Sequence, residues 1–65
     1  MTVRYFSEAL EATVDQAIFP DRRGRIRCHG VYYRAEFYDD VQEFLSVGQR
    51  VYMVAIRENI ALIRS

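Results

Sequence analysis

Four short apolar segments, 24–29, 31–37, 49–56 and 60–64, fill the chain beyond residue 19, and Gly24, Gly30, Gly48 and Asn59 punctuate them. Strand-length apolar runs separated by turn residues every 8 to 12 positions or so are the pattern of a small closed or sandwiched all-β body. That pattern constrains shape and leaves chemistry open.

Size narrows the options further. A chain of 65 residues is one small domain, and a domain of that size buries only about 60% of its unfolded surface. Disulfides or metals often compensate, but Cys28 is the only cysteine and His29 the only histidine. No intramolecular disulfide can form, so the core, a partner or self-association must hold the fold. An apolar share of 51%, with five Tyr and four Phe, makes a compact core credible, because aromatic side chains bury a large area each.

Alternation assigns the faces. Successive strand side chains point to opposite sides, so Ile26 and Cys28 share one face while Arg25, Arg27 and His29 share the other. In the next strand Val31, Tyr33, Ala35 and Phe37 make the apolar face, and Tyr32, Arg34, Glu36 and Tyr38 its opposite. A hairpin across His29-Gly30 joins the two, giving one greasy side and one mixing Arg with Tyr. Segment 51–56 is apolar on both faces, as a central strand should be, and Asn59 suits the left-handed backbone of the short turn after it. The expected core is Val14, Ile26, Tyr33, Ala35, Phe37, Val51, Met53 and Leu62.

Two regions read less simply. Phe6, Leu10, Val14 and Ile18 recur every four positions, which suggests an amphipathic helix. Residues 12–18 also read as a strand, and Pro20 pushes Phe19 towards extended geometry. The division expected is an N-terminal arm over 1–10, frayed or helical, and a barrel domain over 11–65 whose first strand covers 11–18. Tyr5 and Phe6 would dock on a neighbour or on the barrel, or remain in a disordered tail. In the 39–48 connection a helical turn is expected, capped by Asp39 or Asp40, with Val41, Phe44 and Leu45 dropping onto the core as a plug.

Charge is balanced overall at zero but segregated. Residues 21–35 hold five Arg against Asp21, whereas residues 36–65 hold five acids against three Arg. Every basic residue is Arg. Arg favours fixed, bidentate or stacked contacts, although genomic base composition produces the same bias. No apolar stretch approaches the 18 to 20 residues or so that span a bilayer, and the first residues lack a secretory apolar run. A cytoplasmic protein, reaching the membrane only through a partner, is the expectation.

Catalysis is not expected. Cys28 and His29 are adjacent, so a regular strand points them apart and they form no nucleophile–base pair. Ser7, Ser46 and Ser65 have no neighbouring base, and Asp39-Asp40 suit a loop. No phosphate loop or metal-ligand spacing is present, so no cofactor and no metal are expected.

Five strands with a plug between the third and fourth describe an OB-like barrel. Ile18, Pro20, Gly24, Ile26, Gly30, Tyr33, Ala35, Gly48, Val51, Val54 and Leu62-Ile63 give a proline turn, a Gly-led strand, a hairpin Gly, an aromatic-x-Ala strand and a Gly before an apolar strand. Over residues 12–65 this resembles the C-terminal soluble domain of NfeD-type membrane proteins. Ala12 and the pair Glu58, Asn59 depart from it, standing where glycines are common in that family. The resemblance implies a non-catalytic protein-interaction module acting with a stomatin- or flotillin-like membrane scaffold. Separately, a small neutral barrel with exposed Tyr and Phe and open edge strands makes a second copy of itself the other expected partner. The contact surface expected is Arg25, Arg27, Tyr32 and Arg34. The alternative is a single-stranded nucleic-acid binder on the same face, with Arg22 and Arg23 at its rim. Neutral net charge and Glu36 on that face weigh against it.

Overall fold

A computed structural model describes residues 2–65. Its strands are β1 (Val3–Gln16), β2 (Gly24–Cys28), β3 (Val31–Phe37), β4 (Arg50–Arg57) and β5 (Ile60–Arg64). They close into a barrel in the order β1-β2-β3-β5-β4, with β4 returning to β1. All pairings are antiparallel except β3 with β5. A barrel has no continuous free edge, which removes the main aggregation liability of a small sheet protein.

β1 corrects the expected arm. Residues 3–10 are strand, neither frayed nor helical, and the strand start expected at 11 moves to Val3; residue 1 lies outside the described residues. The strand pairs with β4 over Val3–Tyr5 and again over Leu10–Thr13, then with β2 over Thr13–Gln16. Between Tyr5 and Leu10 four β1 residues face Val54 alone, so the strand bulges and bends around the barrel. The four-residue period has a simple cause. Steps of four are also even steps, so Phe6, Leu10, Val14 and Ile18 lie inward on extended chain: the last two are buried and the first two pack against the core.

β2 enters where no side chain fits. A Cβ on Gly24 would run into the backbone oxygens of Gln16 and Ala17 and lie 2.7 Å from Ile18 Cγ1. Glycine is therefore what lets β2 pass beside the end of β1. The β2–β3 turn puts His29 at φ 53° and Gly30 at φ 79°, and the β4–β5 turn puts Glu58 at 50° and Asn59 at 70°. Both are two-residue hairpins with positive φ at each central residue, the geometry that matches strand twist.

The interior holds Ala12, Val14, Ile18, Ile26, Cys28, Ala35, Leu45, Val51, Met53, Ala61 and Ile63. Tyr33 and Phe37, expected inside, are half-buried against it. Leu62 is buried outside this cluster. A shift at Val54 changes the β4–β5 register, and the row Tyr5–Ala55–Leu62–Glu36 then crosses β1, β4, β5 and β3 as ladder partners.

The 38–49 connection contains no helix, so the expected helical turn and its Asp39 or Asp40 cap are corrected. The loop is fixed instead at Leu45, whose N–H and C=O pair with Ile18 at 2.9 and 3.0 Å. Both backbone groups are thereby spent on a strand-type bridge, which excludes helical pairing at that residue. Of the expected plug only Leu45 is buried; Val41 is half-buried and Phe44 exposed. Phe44 stacks on Phe19 at 5.7 Å, and the Arg22 guanidinium lies 4.6 Å from the Phe19 ring centre. No helix among the described residues is long and apolar enough to cross a membrane.

Candidate interaction surface

Arg25 and Arg27 point outward from β2, and Tyr32 and Arg34 outward from β3. The ladder sets Arg27 opposite Tyr32 and Arg25 opposite Arg34. All four expected surface residues therefore share one face of one hairpin. Two arginines directly opposed repel each other, and the fold relieves this by drawing one aside. Arg25 donates from Nε to Asp15 Oδ2 at 2.7 Å, and its guanidinium lies 5.1 Å from the Tyr32 ring centre. Asp15 sits at a register shift between Val14 and Gln16; a bulge of this kind re-aims a side chain. Sequence reasoning did not single out Asp15, because a bulge leaves no mark in an alternating pattern.

Arg27 and Arg34 are exposed and form no ion pair among the described residues. Glu36, the carboxylate expected to oppose them, is occupied elsewhere. Arg23 Nε donates to its Oε1 at 2.6 Å and Arg57 to its Oε2 at 2.7 Å. Burial alone would raise the Glu36 carboxyl, but the hydrogen bonds and charges of Arg23 and Arg57 outweigh it and hold the group below its ordinary value. This triad ties the turn before β2 to β3 and to the end of β4. The contact face thus keeps two uncompensated guanidinium groups beside a Tyr32 ring that is 54% exposed.

An open cleft of about 690 Å³ adjoins the face, and Phe19, Arg22, Arg34, Glu36, Asp39 and Asp40 are among the residues that line it. Its charges are mixed, so it selects for no single sign of ligand.

Cys28 points inward, buried, with Sγ 3.6 Å from the Glu11 carbonyl oxygen. Desolvation raises its pKa above the ordinary 9.0, so the thiol is protonated at neutral pH and a poor nucleophile. His29, expected on the strand, lies instead in the exposed hairpin turn beyond the end of β2. Among the described residues no group of three or more His, Cys, Asp or Glu is placed to hold a metal ion.

Comparison with protein-family models, with curated proteins and with solved structures gives no match for this chain.

Proposed function

We propose that this barrel is a non-catalytic protein-interaction module of the OB-like, NfeD C-terminal type, contacting its partner through Arg25, Arg27, Tyr32 and Arg34. One observation carries the reading: two unpaired guanidinium groups flank an exposed tyrosine on a hairpin face whose other charges are already neutralised within the fold. Arg and Tyr are the residues that anchor protein interfaces, and a rigid strand pair presents them at low entropic cost. The strand order and the parallel β3–β5 pairing support the OB-like description. The protonated, buried Cys28 supports a role without nucleophilic chemistry. A cytoplasmic position, reached at a membrane through a scaffold protein, belongs to the same proposal.

A single-stranded nucleic-acid reading has one observation in its favour. Glu36 is consumed by Arg23 and Arg57, so it does not offset Arg27 and Arg34, and a ring between cations is a stacking platform. Both readings are tested by comparing the wild type with Arg27→Glu/Arg34→Glu in affinity capture and in oligonucleotide binding at low salt. The protein reading expects a captured protein lost in the double variant and no oligonucleotide retention. Oligonucleotide affinity falling log-linearly with salt, and lost in the double variant, decides for nucleic acid instead.

A further inference from the structure

Oxidisable side chains are unevenly placed in this fold. The chain has no Trp, and Cys28 and Met53 are buried, so among the described residues an external oxidant meets the tyrosine phenols first. Tyr32 and Tyr52 each lie close to a guanidinium, Arg25 at 5.1 Å and Arg64 at 5.7 Å from the ring centre. A fixed positive charge beside a ring opposes removal of an electron from it. Tyr33 is half-buried against the interior. Tyr5 and Tyr38 differ from all three. They are 64% and 44% exposed, carry no guanidinium over their rings among the described residues, and hold their hydroxyls 3.4 Å apart. Both backbones are anchored: Tyr5 stands beside Ala55 in the β1–β4 ladder, and the Tyr38 N–H donates to the Ile63 carbonyl at 2.8 Å.

We propose that Tyr5 and Tyr38 are a modification site for a one-electron oxidant, which joins them as an intramolecular o,o′-dityrosine and staples β1 to the chain leaving β3. Two equivalents of oxidant take one electron from each phenol, and each O–H proton passes to water. The unpaired spin of each phenoxyl radical spreads to the ring carbons flanking its oxygen. One such carbon of Tyr5 bonds to one of Tyr38; each carbon then loses its hydrogen as a proton, and each oxygen regains one. With hydrogen peroxide as the terminal acceptor, two phenols and one peroxide give one dityrosine and two waters. Hydroxyls that already meet bring their flanking carbons together, and the rings, now at 87°, need only turn about χ2, a soft torsion. The staple acts where β1 is least secured. That strand pairs with β4 at Val3–Tyr5 and not again until Leu10, and it meets β2 only from Thr13. A stretch so held opens ahead of global unfolding, and a covalent link between residues 33 positions apart restricts the unfolded chain. Nothing in this depends on the contact face of the β2–β3 hairpin.

The test treats the protein at high dilution with a peroxidase and one equivalent of hydrogen peroxide, then maps the product by mass. Trypsin leaves each residue in a peptide with a single tyrosine, 5–22 for Tyr5 and 35–50 for Tyr38, so a link between them is unambiguous. The expected product is a monomer lighter by two hydrogen atoms, with 5–22 joined to 35–50. Its thermal midpoint should rise by about 10 °C or more. The link should be lost in Tyr5→Phe and in Tyr38→Phe, which keep both rings. In denaturant, where the fold no longer holds the phenols together, the wild-type yield should fall about tenfold or more. A wild type left unlinked, links that join Tyr32 or Tyr52 instead, or covalent dimers as the main product each overturn the proposal. So does a yield unchanged in denaturant, or a linked protein that melts no higher than the untreated one.

Discussion

Tyr5 and Tyr38, 33 positions apart, meet edge to face with ring centres 6.0 Å apart and planes at 87°, and the Tyr38 hydroxyl donates to that of Tyr5 at 3.4 Å. Tyr5 stands beside Ala55 in the ladder, and Tyr38 lies two residues beyond Glu36, so the two rings reach towards each other across the row that holds Ala55 and Leu62. Ala55 and Leu62 of that row are buried although neither belongs to the interior cluster. Tyr38→Ala should destabilise by about 1–3 kcal/mol, and a Tyr5/Tyr38 double-mutant cycle should show coupling of about 0.5–1.5 kcal/mol in denaturant unfolding. Strict additivity would mean that the rings do not act together.

Gly24 and Gly30 separate two reasons for needing glycine. Gly24→Ala forces a methyl into β1 backbone and should cost about 3 kcal/mol or more. Gly30→Ala meets no atom within 4 Å and should cost only the left-handed backbone penalty, about 1–2 kcal/mol. Urea midpoints of the two variants, measured at equal m-value, check the order; a reversal contradicts the close approach of β2 to β1.

His29 and Glu58 occupy left-handed turn positions that neither residue type favours strongly. His29→Asn creates an Asn-Gly turn and should raise stability by about 0.5–1 kcal/mol. A lowered thermal midpoint would contradict the turn geometry.

Glu36 makes an acid limb of stability. Its folded pKa is depressed below the ordinary 4.5, so its contribution is fully present above that value and is lost as pH falls through the folded one. Glu36→Gln should be less stable than the wild type at pH 7, and the gap should shrink progressively below pH 4.5. A gap that is constant with pH would mean that Arg23 and Arg57 do not hold the carboxylate.

Cys28 should be inert to a thiol reagent in native buffer and react stoichiometrically in denaturant, since its thiol is buried and its pKa raised. Fast native labelling would contradict an inward-facing β2.

The β2–β3 hairpin was legible because two-residue alternation maps directly onto two faces, and Arg25, Arg27, Tyr32 and Arg34 lie where that alternation puts them. Residues 3–10 were not, because Phe6, Leu10, Val14 and Ile18 satisfy a helix and a strand alike. The loop misled for a different reason: three apolar residues suggested a plug, yet the Leu45–Ile18 bridge fixes only one of them inward. Asp15, which pulls Arg25 away from Arg34, and Arg57, which with Arg23 claims Glu36, come from other strands. Those pairings depend on register and bulges, which hydrophobic periodicity does not encode. Charge on the surface was therefore visible as a count but not as a map.

The sharpest measurement is photocrosslinking in living cells with a benzophenone amino acid at position 32, set against the same probe at Glu8. The account predicts a protein adduct at position 32, abolished by Arg27→Glu/Arg34→Glu and absent from position 8. Equal adducts at both positions, an adduct insensitive to the two arginines, or an adduct to nucleic acid would contradict it.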